Sequence, residues 1–165
     1  MTIDVLKRLL WFLAFLLIQV MVLGRIHLFG VATPLIYVYF VLQFPRNHPK
    51  WASLLWAFAM GLSVDIFSNT PGLAAASLTC VAAIQPYYFD LLLPQDSFEQ
   101  LAPSFRTLGP LKYIYYALPL VLLYCLLFFT LEQFSFFHFL HWLLCVVGST
   151  LLTSLLILTI ETTKK

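Results

Sequence analysis

Apolar residues fill six stretches of this chain, at about 9–23, 27–44, 51–67, 73–93, 113–131 and 136–160, separated by short groups of charged residues, prolines and glycines. The stretches exceed the length of core strands, and polar and apolar positions do not alternate within them. They therefore predict helices rather than the strands of a barrel. The predicted fold is all-α: one domain, residues 1–165, of six transmembrane helices.

Lys7-Arg8 ahead of Leu9 looks like the start of a signal peptide. Gly24-Arg25-Ile26-His27 is a poor cleavage site, however, and further spans follow, so the first helix is read as retained. Gln19 within it predicts a hydrogen bond between helices. Pro34 falls inside the second span and predicts a kink, the alternative being a broken helix that binds substrate. Pro45 to Lys50 is a loop. Ser68 to Gly72 is short enough to turn the fourth helix back antiparallel to the third.

Pro86 predicts a kink in the fourth helix. Pro94 to Leu111 is the long polar connection, with Asp96, Glu99 and Arg106, and Lys112 follows it. Tyr113, Tyr115 and Tyr116 suit an aromatic belt at the headgroup level. Glu132 to Ser135 turns the chain into the sixth span, and Glu161 to Lys165 reads as a polar tail.

The third span holds the one carboxylate that lies within a hydrophobic run, Asp65, about three residues from the turn that follows. Stepping back by four from Asp65 gives Gly61, Ala57 and Ser53, so three small residues and the carboxylate share one stripe. Pro71 and Gly72 close the turn that follows. The fourth span opens on Ala74-Ala75-Ala76-Ser77, so two small-residue faces meet across a tight turn, as helices packing closely in lipid require. A carboxylate at the bilayer centre costs roughly 2.5–3.5 kcal/mol. Two readings of Asp65 remain: a snorkelling or helix-capping acid, or an ion pair with Arg25.

Composition agrees with the pattern. Of 165 residues, 62% are hydrophobic and 10% charged, with a mean hydropathy of +0.94, more apolar surface than a soluble domain of this size can bury. A net charge of +2, without a basic patch interleaved with aromatics, predicts no nucleic-acid partner. Cys80, Cys125 and Cys145 lie in apolar runs and read as packing residues. Alternating sides places Lys7, Arg8, Arg46, Lys50, Arg106, Lys112, Lys164 and Lys165 together, with Arg25 alone opposite. The positive-inside rule then predicts both termini in the cytoplasm.

Candidate chemistry is sparse. His138 and His141 are three apart, with His27 and Glu132 expected at the same membrane side; among so many aromatics the favoured reading is of boundary residues, with no metal. Ser149, Thr150, Thr153 and Ser154 read as helix-packing hydroxyls. No nucleophile, base and orienter are placed to meet, and no glycine loop suits a phosphate. No enzyme activity and no cofactor are expected.

Gly61-Leu62-Ser63-Val64-Asp65-Ile66-Phe67 followed by Pro71-Gly72-Leu73 resembles the rod-shape-determining MreD family of bacterial inner-membrane proteins. Pro34 to Phe44, Gln85-Pro86-Tyr87 with Leu93 to Asp96, and Phe128 to Phe136 resemble its Bacteroidetes-type branch. The resemblance covers most of the chain through the order and spacing of these stretches. It departs at Gln85 and Asp90, where family members often carry basic residues, and near Leu123 and Tyr124, where they often carry histidines. It implies a non-enzymatic scaffold of the cell-elongation machinery that builds lateral peptidoglycan. The implied partners are an MreC-like bitopic protein, an MreB-like actin, the wall-synthesis glycosyltransferase and transpeptidase, and the lipid bilayer. It also implies a six-helix fold similar to the substrate-binding subunits of energy-coupling-factor vitamin transporters.

Such a transporter subunit is the alternative function. Those subunits carry alanines four apart on the first helix and close over substrate with outer loops. Here the first helix has only Ala14, and the first outer loop is a few residues around Arg25. A lipid-handling protein is the third reading, since 17% aromatic residues suit a lipid groove as well as a belt.

Overall fold

The computed structural model describes residues 2–22, 33–92, 102–133 and 139–163, and among these there is no strand. The elements in chain order are α1 (Thr2–Met21), α2 (Val38–Leu42), α3 (Lys50–Ser68), α4 (Leu73–Leu92), α5 (Phe105–Leu108), α6 (Pro110–Glu132) and α7 (Phe139–Thr163). Three of them, α3, α6 and α7, are long and apolar enough to cross a membrane. Asp4, Lys7 and Arg8 in α1, and Gln85, Tyr87, Tyr88 and Asp90 in α4, make those two helices more polar.

The closest packing is α3 on α4, followed by α6 against α7 and α4. Lys50 at the start of α3 reaches Tyr87 near the end of α4, where its Nζ lies 4.3 Å from the ring centroid. The two helices are therefore antiparallel, as the short turn predicts. α4 runs on through Pro86, and α6 begins with Pro110 in its first turn and continues through Pro119.

The second apolar stretch is not the kinked continuous helix expected from Pro34. Of its described part, residues 33–35 are non-helical, Ile36 and Tyr37 form a turn, and only Val38–Leu42 is α-helical. Proline disfavours helical backbone at Thr33 before it, and Pro45 does the same to Phe44, so the sequence brackets a helix of little more than one turn. Pro34 to Leu42 are all buried. Non-helical backbone is tolerated at membrane depth only where protein surrounds it and satisfies its polar groups.

Here those partners are side chains. Gln19 Nε2 donates to the Pro34 carbonyl at 3.0 Å, and its Oε1 accepts from the Ile36 amide at 3.1 Å. The Thr33 amide donates to Ser149 Oγ and the Leu35 amide to Thr153 Oγ1, each at 3.1 Å. The amide and hydroxyls expected to join helix to helix thus join α1 and α7 to the interrupted segment. Thr150 instead donates to Val146 of its own helix. Gln19→Leu leaves one buried carbonyl and one buried amide unpaired, and is expected to cost about 2 kcal/mol in equilibrium unfolding. An unchanged midpoint would show that the segment does not depend on Gln19.

The aromatic core corrects the belt reading. Tyr113 and Tyr116 are buried, at 1% and 0% exposure, while Tyr115 is 68% exposed. Residues three apart share a helix face and the one between them does not, so only Tyr115 faces outward. Cys125 and Cys145 are buried and Cys80 is exposed.

Candidate functional site

Two buried polar centres lie at opposite ends of the bundle, and a charged cluster lies beside the second. The first is the seam between α3 and α4. Ser53, Ala57, Gly61 and Asp65 are all buried on α3. A Cβ on Gly61 would lie 2.4 Å from Ala75 Cα, 2.6 Å from Ala75 N and 2.7 Å from Ala74 O, so backbone meets backbone there.

One turn on, Asp65 is 4% exposed and spans the hairpin. Its Oδ1 accepts from Thr70 Oγ1 at 2.8 Å and from the Ala74 amide at 2.9 Å, and its Oδ2 accepts from the Ala75 amide at 2.9 Å. The first amides of a helix lack partners within it and attract negative charge. Gly72, immediately before α4, has no side chain to cap them and a φ of +77°, which suits glycine. Asp65 supplies the capping oxygens from the preceding helix. Its own carbonyl ends α3, accepting from the amides of Asn69, at a left-handed φ of 57°, and Thr70.

Asp65 thus caps the N-terminus of α4. Arg25, proposed as its ion-pair partner, lies outside the described residues. Pro71 and Gly72 are exposed at the turn. Ser53 lies toward the other end of α3, where its Oγ is 2.7 Å from His48 Nδ1.

The second centre surrounds the interrupted segment at that other end. Tyr39 OH donates to Glu161 Oε2, Gln43 Nε2 donates to Tyr39 OH at 2.8 Å, and the Phe105 amide donates to Glu161 Oε1 at 3.2 Å. Gln85 Nε2 donates to Tyr116 OH at 2.8 Å, and that hydroxyl donates to the Leu42 carbonyl at 3.0 Å. Deeper in the bundle, Tyr37 and Tyr124 share a hydrogen bond between their hydroxyls.

Sequence reasoning placed Glu161 in a polar tail, yet it is 3% exposed in the last turn of α7. The signal was present. Stepping back by four from Glu161 gives Ile157, Thr153, Ser149 and Cys145, all buried, the same pattern that singled out Asp65.

Around this end lie the charged contacts. Arg46 Nε is 2.8 Å from Asp90 Oδ1, and Arg8 Cζ lies 5.9 Å from the centroid of the Phe44 ring. Burial, with the charge of Arg8 nearby, pushes His48 down to about 4, so its ring is neutral at pH 7. At the two positions where the resembled family often carries basic residues, Gln85 bonds Tyr116 and Asp90 pairs with Arg46.

His141 is exposed and contacts Cys145 of its own helix, whereas His27 and His138 lie outside the described residues. Among the described residues, no group of three or more His, Cys, Asp or Glu side chains is placed to hold a metal ion. Comparison with protein-family models, with curated proteins and with solved structures finds no match to this chain.

Proposed function

We propose that this protein is a non-enzymatic scaffold subunit of the bacterial cell-elongation machinery. It sits in the inner membrane through its six apolar segments, the second of them interrupted, with both termini in the cytoplasm. Its partners in this reading are an MreC-like bitopic protein, an MreB-like actin, and the glycosyltransferase and transpeptidase that extend lateral peptidoglycan. The reading rests on the resemblance of residues 61–67 and 71–73 to the MreD family, and one observation carries it further. In that stretch, the carboxylate that would be the first choice for chemistry accepts three hydrogen bonds within its own hairpin. Asp65 therefore builds architecture. Three helices apolar enough to cross a membrane support the location, and the grouping of Arg8, Arg46 and Lys50 supports the orientation.

The interrupted second segment favours the alternative, since transporters place substrates at broken helices. In this chain the Thr33, Leu35 and Ile36 amides and the Pro34 carbonyl already have side-chain partners. A substrate would have to displace them, and this weighs for the scaffold.

Affinity capture of a tagged copy in mild detergent distinguishes the two. Wall-synthesis proteins and the MreC-like partner are expected to copurify. Recovery of transporter ATPase subunits in their place would overturn the scaffold reading.

A further inference from the structure

Arg46 and Lys50 come together because neighbouring residues of α4 hold them. Arg46 Nε lies 2.8 Å from Asp90 Oδ1, and Lys50 Nζ donates to Tyr87 OH at 3.2 Å while lying 4.3 Å from the centre of that ring. Tyr87 and Asp90 are three apart, so they share one face of the helix, and both are exposed. The two cations are therefore presented on the outside of the bundle within one turn of α4.

Neither cation is used up by these contacts. A guanidinium has five donors and an ammonium three, so each keeps donors for a further acceptor. Two positive charges against the one carboxylate of Asp90 leave this pair of contacts net positive, and His48, neutral at pH 7, adds no charge.

The height of the patch suits a lipid headgroup. α3 has 19 residues, and Lys50 is the first of them. At 1.5 Å per residue that is about 28 Å, close to the thickness of the hydrocarbon core. Exposed Trp51 and Tyr87 flank Lys50, aromatics of the kind enriched where hydrocarbon meets headgroups. Farther along the same two helices the exposed side chains include Leu55 and Phe58 on α3 and Ile84 on α4. The outer surface thus runs from cationic to aromatic to apolar, the order that complements a phospholipid from phosphate to acyl chain.

We propose that Arg46 and Lys50 bind the phosphate of an anionic phospholipid whose acyl chains lie against α3 and α4. The guanidinium supplies directed hydrogen bonds and the ammonium a point charge. Asp90 holds Arg46 in place and also repels the phosphate, which limits the strength of the site. The inference rests on the membrane location and is independent of the protein partners proposed above.

Native mass spectrometry of the purified full chain in an uncharged detergent tests it, with dioleoyl phosphatidylglycerol and dioleoyl phosphatidylcholine as ligands. The two lipids share their acyl chains and differ in net charge. Wild type is expected to bind phosphatidylglycerol about tenfold more tightly, and Lys50→Gln to lower that preference about fivefold, the order set by one cation beside an anionic lipid. Arg46→Gln should abolish the preference, because it leaves Asp90 opposing Lys50. Asp90→Asn should raise it several-fold, a gain that misfolding cannot produce. Lys112→Gln, which removes an exposed cation of α6 outside the patch, should leave it unchanged.

Equal affinity for the two lipids overturns the site. So does a preference unaltered in Lys50→Gln or Arg46→Gln, one not raised by Asp90→Asn, or an equal loss in Lys112→Gln. Displacement of phosphatidylglycerol by an equal concentration of inorganic phosphate would assign the patch to a soluble anion and overturns it as well.

Discussion

Gly61→Ala is expected to destabilise the protein by about 3 kcal/mol or more, at or above the upper end of the usual range for overpacking. The new methyl group would sit 2.4 Å from Ala75 Cα, 2.6 Å from Ala75 N and 2.7 Å from Ala74 O. All three are backbone atoms of α4, so no side chain can rotate away. Relief requires the two helices to part, and parting them pulls Asp65 from the same two residues. Gly61→Leu is expected to prevent the hairpin from closing and to abolish recovery of folded protein. Equilibrium unfolding in detergent measures the alanine variant, with Leu62→Ala on the exposed face as a control expected within about 0.5 kcal/mol of wild type. A Gly61→Ala protein as stable as that control would remove the close approach from the account.

Asp65→Ala is expected to cost about 2–4 kcal/mol. Loss of an N-terminal helix cap costs about 0.5–2 kcal/mol where water can take its place, whereas leaving a buried donor without a partner costs about 1–3 kcal/mol. The larger figure applies here, because the two α4 amides that the carboxylate holds are buried. Asp65→Asn separates capping from a simple need for polarity. Its carbonyl oxygen can serve one amide, but its NH2 group then points a donor at the other. Asparagine should therefore recover less than half of the loss. Faster exchange of the Ala74 and Ala75 amide hydrogens in both variants is the accompanying signature. An asparagine variant as stable as wild type would show that the carboxylate does not hold both amides.

The hairpin was legible because its determinants lie within about twenty residues of one another. A period of 3.6 places Ser53, Ala57, Gly61 and Asp65 on one face, and the short turn before Leu73 leaves α4 only one direction in which to run. The same counting back from Glu161 marks the buried face of α7. Position hid it: a charged residue four places from the end of an apolar chain reads as solvated, and only a neighbour such as Tyr39 makes burial tolerable.

Residue order alone makes legible a helical chain apolar enough for a membrane, the turn between α3 and α4, and a contact of α3 with α4 through small residues around an acid. All of this follows from local composition and from periodicity along one element. That Asp65 caps the next helix, that Tyr113 and Tyr116 face inward and that the second apolar stretch is interrupted at Pro34 depend on how the segments pack together. A proline removes one donor and disfavours helix before it, but whether the chain kinks or breaks depends on who satisfies the freed backbone. Here Gln19, Ser149 and Thr153 do so from 15 to 118 residues away, and no local pattern contains that information.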